Sequence, residues 1–565
     1  MKSSAELRTL LRSIDHKSYP AYKGTAGAWQ FPGFVLVIDH VQGDPFASPS
    51  SLHVEVPYKA AGFPASFLEK KCTEIALRDH LTRQLGRQFE SYNFKAKGSG
   101  KSGLISITRC GQEVLERSAM EIKDGKIIAR FHVGFPAFGR TINAGELDKI
   151  LMDFLPKCVD ASLYFRNLDK KALEAALNLA EDQTEVRRYL KEHDLAAFVA
   201  NGAVLPRKSG VSELPLKDSV RFQSPASMER TIVLPHGGEL SGMAIPRGIT
   251  LIVGGGYHGK STLLEAVQSG VYNHIGGDGR EFVIADDTAV KLRAEDGRSV
   301  TSVDISLFIN DLPNKKDTRH FTTEDASGST SQAAFVVESM EAGSKLFLVD
   351  EDTSATNFMV RDEFMQQVIS RDKEPITPFI ERVRGLYEKA DISTIMVAGS
   401  SGEFFYVADH ILLMGCYRAL DITEHVKKLC GQRPAAHRQA PDFHMPDENR
   451  VLKPYRRQGR DAGRYEHMKV RASALESFSL DKENVSVRYL EQLTDYEQTT
   501  ALGYLIRYAL EQAVDGKRTV RQAVALICDT LEKKGWEPFL GGYIPCGLAK
   551  PRIQEVFAAL NRFRW

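Results

Sequence analysis

The stretch LIVGGGYHGKSTLLEAV, residues 251–267, decides how the middle of this chain is built. Gly254 to Ser261 follows the spacing G-x-x-x-x-G-K-S, with an apolar run before it and an amphipathic run after it. A strand that turns through glycines into a helix aims backbone N–H groups and a helix dipole at one point, which is how phosphate is held. The expected contacts are Gly254, Gly255, Gly256, Tyr257, His258, Gly259, Lys260, Ser261 and Thr262. Lys260 reaches the β- and γ-phosphates of ATP and Ser261 ligates Mg²⁺. His258 reads as a variable loop position, not a catalyst.

Hydrolysis needs a carboxylate for the metal and a group that orients water. KLFLVDEDTSATN, residues 345–357, offers both at the end of an apolar strand: Asp350 for Mg²⁺ and Glu351 as general base, alongside Lys260. Further upstream, ASGSTSQAA, residues 326–334, opens a helix with small hydroxyl residues and a glycine, so that Ser327, Gly328 and Ser329 present donors to an anion.

In order and spacing these segments resemble the ABC-class ATPases. DEDTSATN is similar to their Walker B and D-loop at Asp350, Glu351, Thr353, Ser354 and Ala355, and ASGSTSQAA resembles their signature, with Ser327 lying 23 residues before Asp350. Gly399 and Ser400 stand where those proteins carry a switch histidine, and Asp304 or Ser306 stands nearest the usual Q-loop glutamine. A missing imidazole removes one partner of the γ-phosphate, so slow turnover or different water positioning is expected, with Ser400 as a nucleotide contact. VDISLFINDLP (303–313), EPITPFIERVRGLYE (374–388), DHVQGDPFASPS (39–50) and LAKPRIQEVFAALNRFR (548–564) extend the resemblance over most of the chain, toward the predicted ATPases of the ABC class. It implies an α/β fold: a central ABC-type P-loop domain flanked by an α+β N-terminal domain and a small helical C-terminal domain. It also implies a homodimer, in which the signature of one chain covers the γ-phosphate held by the other. Because a kinetoplastid mitochondrial member is associated with RNA editing, it implies nucleic-acid binding by analogy.

The rest of the chain fits that plan. With 565 residues, 42% hydrophobic and 26% charged, it is long enough for several folded domains. A net charge of +1 implies no whole-chain attraction to nucleic acid or anionic membrane, so such binding must come from local patches. The seven cysteines form no close pair, which argues against both a disulfide framework and a zinc site. The opening residues carry charges throughout, unlike a secretory signal, and no run approaches the length of a membrane helix. A cytoplasmic protein is expected.

Alternating strands and amphipathic segments fill residues 1–210, the ATP-binding domain is expected over 211–428, a basic linker or arm over 429–470, and helices over 471–565. In the arm, KPYRRQGRDAGRYEHMKVR sets Arg456, Arg457, Arg460, Arg464 and Lys469 among Tyr455 and Tyr465, which are the ingredients for gripping single-stranded nucleic acid. KGSGKSG, residues 97–103, imitates the phosphate loop, but it lacks the first glycine and is followed by the strand-like LISITR. It is no nucleotidase loop; its free amides with Lys95, Lys97 and Lys101 leave it as a contact for polymer phosphates. FHVGFPAFGR and FVANGAVLPRKSG read as structural turns, and Arg140 and Arg207 receive no role.

The leading expectation is a soluble ATPase that binds and slowly hydrolyses ATP at a homodimer interface and couples closure to nucleic acid, RNA favoured. The alternatives are the ATPase subunit of a membrane transporter and a weakly hydrolytic ATP-binding scaffold.

Overall fold

The computed structural model describes residues 2–361, 374–432, 442–456 and 467–565. The chain divides into two units, Met1–Glu181 with Trp536–Lys550, and Asp182–Gly535 with Pro551–Trp565.

The first unit is built on a seven-stranded sheet. GFVLVIDHV and SLHVEV are neighbouring antiparallel strands, Phe34–His40 and Ser50–Pro57, with Leu36 opposite Val54 and Ile38 opposite Leu52. Their alternation puts Leu36, Ile38, Leu52, Val54 and Val56 in the core. The helix Lys71–Tyr92 buries Leu77, Leu81, Leu85 and Phe89, one side chain per turn. The helix Ser4–Ile14 starts on a capping box between Ser3 and Glu6. The unit is closed by residues from the far end of the chain. The Ser118 hydroxyl donates to Pro545 O at 2.7 Å and accepts from Leu548 N at 3.1 Å, and Lys550 N donates to Glu116 O at 2.8 Å. Linear composition gives no hint of that return.

The second unit holds a six-stranded sheet in the order Val290–Leu292, Leu346–Asp350, Ser393–Val397, Ile249–Val253, His410–Gly415, Arg418–Asp421. Only the last pair is antiparallel. LFLV, STIMV and ITLIV are nearly continuous apolar runs because both faces of a parallel sheet are covered. A second, antiparallel sheet joins Glu229–Leu234, Gly238–Pro246, Leu195–Ala200 and Val283–Ala285. The C-terminal helices Tyr496–Tyr508, Val520–Lys534 and Ile553–Asn561 follow a three-stranded sheet, Val470–Ala474, Ser477–Leu480 and Glu483–Ser486, whose four- or five-residue runs are too short for helical periodicity to register.

The described part of the basic linker or arm is packed. Residues 442–456 belong to the second unit and pack within it: Phe443 lies on Gly385, Leu452 is buried, and the Arg450 guanidinium donates to Thr301 O, Glu341 and Asn561. Tyr455 meets Phe563 edge-on at 5.1 Å, so its ring does not stand free for a base. Arg456 is exposed, whereas Arg457, Arg460, Arg464 and Tyr465 lie outside the described residues. No helix among the described residues is long and apolar enough to cross a membrane, and no disulfide joins the cysteines.

Candidate active site

Strand register assembles the site. Asp350 pairs with Val397 and Ile252 pairs with the same Val397, so three parallel strands end at one level. Gly254 and Glu351 directly follow two of these strands, and the Gly399–Ser400 turn follows the third after Ala398. A crevice beyond the carboxyl ends of parallel strands is where open α/β sheets place their ligands.

At the phosphate loop, Gly254 has φ +144°, and a Cβ there would stand 2.3 Å from Met414 O. Gly259, φ +94°, is the N-cap of the helix Lys260–Ser269. Only glycine takes both positions without strain. The outer side of the loop is open: nothing lies within 4 Å of a Cβ built on Gly256, and Tyr257 is 100% exposed. The Lys260 ammonium folds back to donate to Gly254 O at 2.8 Å and Gly255 O at 2.9 Å. His258 anchors the loop: its Nδ1 accepts from Cys416 N at 2.8 Å, and its carbonyl accepts from Tyr417 N at 3.2 Å. Ser261 is exposed in the first helical turn and Thr262 faces a neighbouring cavity.

Asp350 is buried at the end of its strand, and its Oδ1 accepts from Asp352 N at 3.2 Å. Glu351 is gripped by the turn opposite. Its Oε2 accepts from Gly399 N at 2.7 Å and Ser400 N at 3.0 Å, and its Oε1 accepts from the Ser400 hydroxyl. Partial burial pushes the Glu351 carboxyl up, but the Ser400 hydroxyl, the two amides and the Lys260 charge outweigh it and hold it below the usual glutamate range. Ser400, expected to touch nucleotide, has its hydroxyl on the Glu351 carboxylate. The carboxylate of Asp350 and the hydroxyl of Ser261 are the hard oxygen donors that suit Mg²⁺, an ion that takes few protein ligands and leaves its other positions to water and phosphate.

The signature residues open the helix Gly328–Glu341. The Ser327 hydroxyl pairs with Thr330 at 3.0 Å, and Ser329 is buried with its hydroxyl on Asn357 Oδ1 at 2.8 Å. Two residues that sequence reasoning missed join this helix to the segment after the acids. Gln332 donates to Ser354 Oγ at 3.0 Å and accepts from Ala355 N at 2.9 Å, while Asn357 receives Ser329. A glutamine amid an apolar helical run was the available signal.

Lys291 was also missed. It lies buried in a three-residue strand with its ammonium 3.9 Å from Asp350. Burial pushes it below the usual lysine range against the opposing charges of Glu491 and Asp350. FVANGAVLPRKSG does more than turn: beside Gly259 and Thr262 lies a cavity of about 430 Å³ lined by Leu205, Leu216, Val220, Phe222, Met414 and Tyr417. Leu214, Leu216 and Val220 are exposed by 53%, 38% and 47%, an unusual aliphatic load for a linker and the signal that could have found it. Arg207 holds Asp278, its guanidinium bidentate on the carboxylate at 2.9 Å.

Three family models match the chain. The ABC_ATPase P-loop domain matches residues 169–449, the N-terminal domain of ATPases of the ABC class matches residues 4–166, and the MRB1590 C-terminal domain matches residues 469–565. An uncharacterized protein of Methanocaldococcus jannaschii, MJ1628, is 30% identical over 278 residues, which is 46% of this chain and 60% of that protein. Among solved structures, the ADP conformation of MJ1267, an ATP-binding cassette of an ABC transporter, is 13% identical over 35% of this chain and 89% of its own, with a TM-score of 0.24. CbiO1 from Clostridium perfringens, part of the ABC transporter complex cbiONQ, is 10% identical over 43% of this chain and 96% of its own, with a TM-score of 0.26. The three models follow one another in order over nearly the whole length and place the chain in the ABC class of ATPases, with a P-loop domain between N- and C-terminal domains of that class, and the chain spans 60% of the length of its relative MJ1628.

Proposed function

We propose that two copies of this ATPase close on ATP across a shared interface in the cytosol, and that closing and reopening grips and releases a nucleic acid, RNA before DNA. The observation that carries the reading is the start of the signature helix. Ser327 is exposed at the N-cap, and its own hydroxyl does not cap the first amides of the helix. Such an end attracts an anion, here the γ-phosphate held by the other copy. Gln332 ties it to Ser354 and Ala355, so a phosphate arriving there is felt next to Glu351.

Within each chain, Lys260 exchanges the Gly254 and Gly255 carbonyls for the β- and γ-phosphates, and the loop amides hold the β-phosphate. The apolar cavity beside Thr262 receives the base. Asp350 and Ser261 hold Mg²⁺, which when bound neutralises phosphate charge. Glu351, kept ionised, takes a proton from the attacking water.

Support for the nucleic-acid half comes from the first unit. Phe46 and Phe138 are 63% and 62% exposed beside the Lys95–Gly103 loop, and Lys97, Lys101 and Arg140 are exposed around them. Aromatic faces among cations suit single strands. A transporter role is disfavoured by the corner that should carry a coupling glutamine. There Ser306 binds Asp304 at 2.5 Å and His444 at 2.9 Å, and Asp447 N donates to Asp304, so the chain's own strap occupies that corner.

Light scattering on the Glu351→Gln protein tests the dimer: mass should double with ATP and stay single in Lys260→Ala. A monomer at saturating ATP would end that half of the reading. Anisotropy of a labelled uridine oligonucleotide tests the other, since log affinity should fall linearly with log salt. A salt-independent affinity would end it.

A further inference from the structure

We propose that Ser400 is a positioning residue for hydrolysis: together with the Gly399 and Ser400 amides it orients the Glu351 carboxylate toward the attacking water, at the point of the chain where a histidine is missing. The proposal rests on the ATP-hydrolase assignment and concerns how that site works without an imidazole.

A carboxylate has about four lone-pair directions. Two on Oε2 are taken by the amides of Gly399 and Ser400, and one on Oε1 by the Ser400 hydroxyl. One direction on Oε1 remains, so the clamp fixes the plane of the group and leaves a single seat for water. All three donors come from two successive residues just past the strand Ser393–Val397, whose register with Asp350 fixes their height. The serine hydroxyl stands one carbon from the backbone, so its position follows from the strand rather than from a long side chain.

Ser400 is exposed, and the donor of its hydroxyl goes to Glu351 rather than to the turn. The neighbouring Ser401 is the contrast, because its oxygen caps the short helix Gly402–Tyr406 at Glu403 N. One serine holds the fold and the other holds the glutamate. In the step itself, the water oxygen bonds to the γ-phosphorus and the bond from phosphorus to the bridging oxygen of ADP breaks. The water proton passes to Glu351 Oε1 and from there to solvent.

The test is a steady-state ATPase assay on Ser400→Ala, Ser400→Thr, Glu351→Gln and the Ser400→Ala, Glu351→Gln double variant, with ADP affinity measured on each. Ser400→Ala should lower kcat about ten-fold, since misplacing a catalytic group by a fraction of an ångström is costly. It should leave KM for ATP and Kd for ADP unchanged, because the hydroxyl's proton is donated to the carboxylate. Ser400→Thr keeps the hydroxyl and should restore most of kcat. On the Glu351→Gln background, Ser400→Ala should change the residual turnover less than about two-fold, as expected for residues that act as a unit. An unchanged kcat in Ser400→Ala, a matching loss of ATP affinity, no recovery in Ser400→Thr, or a full ten-fold loss on the Gln background would each overturn the proposal. Turnover that vanishes in Lys260→Ala but is untouched in Ser400→Ala overturns this proposal alone; a wild-type chain without turnover overturns the hydrolase assignment with it.

Discussion

Two loops in this protein are spelled with glycines, a lysine and a serine, and they use the same letters for opposite ends. In the Gly254–Thr262 loop the outer side is vacant: Tyr257 is wholly exposed and Gly256 has no neighbour. In the Lys95–Gly103 loop the glycines are there because the space is full. A Cβ on Gly103 would stand 2.0 Å from Ala96 O, and one on Gly134 opposite would stand 1.8 Å from Lys101 O. Four of the amides expected to be free for phosphate are committed within the fold. Ser99 N donates to Ala137 O, Lys101 N to Pro45 O, Ser102 N to Ser99 O and Gly103 N to Gly134 O. A glycine-rich loop binds phosphate when its amides lack partners, and a following helix is what leaves them so. The Lys95, Lys97 and Lys101 side chains remain exposed on the second loop.

Four experiments test that contrast. The largest expected effect is on Lys260: its replacement by alanine should lower kcat/KM for ATP by about a thousand-fold or more in a phosphate-release assay, while Lys101→Ala leaves it within about two-fold. Comparable losses in both would erase the distinction. Next, Gly134→Ala or Gly103→Ala should destabilise the first unit by roughly 3 kcal/mol, lowering its melting temperature by about 6–12 °C. Gly256→Ala, with open space around it, should shift melting by less than about 1 °C. A third change fills the cavity beside Thr262. Val220 is half exposed, so Val220→Trp should fold, and it should weaken ATP about ten-fold while leaving pyrophosphate affinity unchanged. The smallest effect is on Lys101 and RNA: alanine should weaken an oligonucleotide a few-fold and reduce the salt slope by about 0.7, the release of one counterion from a single strand.

Much of the ATP site is legible because its motifs are local. A strand, a turn and a helix within seventeen residues specify the phosphate loop, and an apolar run ending in two acids specifies Asp350 and Glu351. What was illegible depends on register and return. Nothing near residue 350 says that Gly399 and Ser400 will meet Glu351, because that follows from pairing Asp350 with Val397. Lys291 looks like a surface lysine in a short run until the sheet order sets its strand beside Leu346–Asp350. The cavity wall from Leu205 to Phe222 was hidden by loop composition, since proline, glycine and serine mark a segment as irregular and say nothing of what its leucines face. In the basic arm, charge pattern suggested solvent exposure, yet Arg450 lies buried on Glu341 and Asn561 because three hydrogen bonds satisfy its guanidinium.

The closing of the first unit by Trp536–Lys550 bears on the order of events during synthesis. A chain emerging from the ribosome presents residues 1–181 long before residue 550 exists, and domains ordinarily fold as they emerge. Here the Glu116 carbonyl and the Ser118 hydroxyl must wait for Lys550, Pro545 and Leu548, and Cys546 takes its place in a core otherwise drawn from the first 180 residues. The nascent first unit therefore carries an unfinished edge through the making of the whole ATPase domain, and an expression clone cut after the ATPase domain would leave that edge unfinished for good.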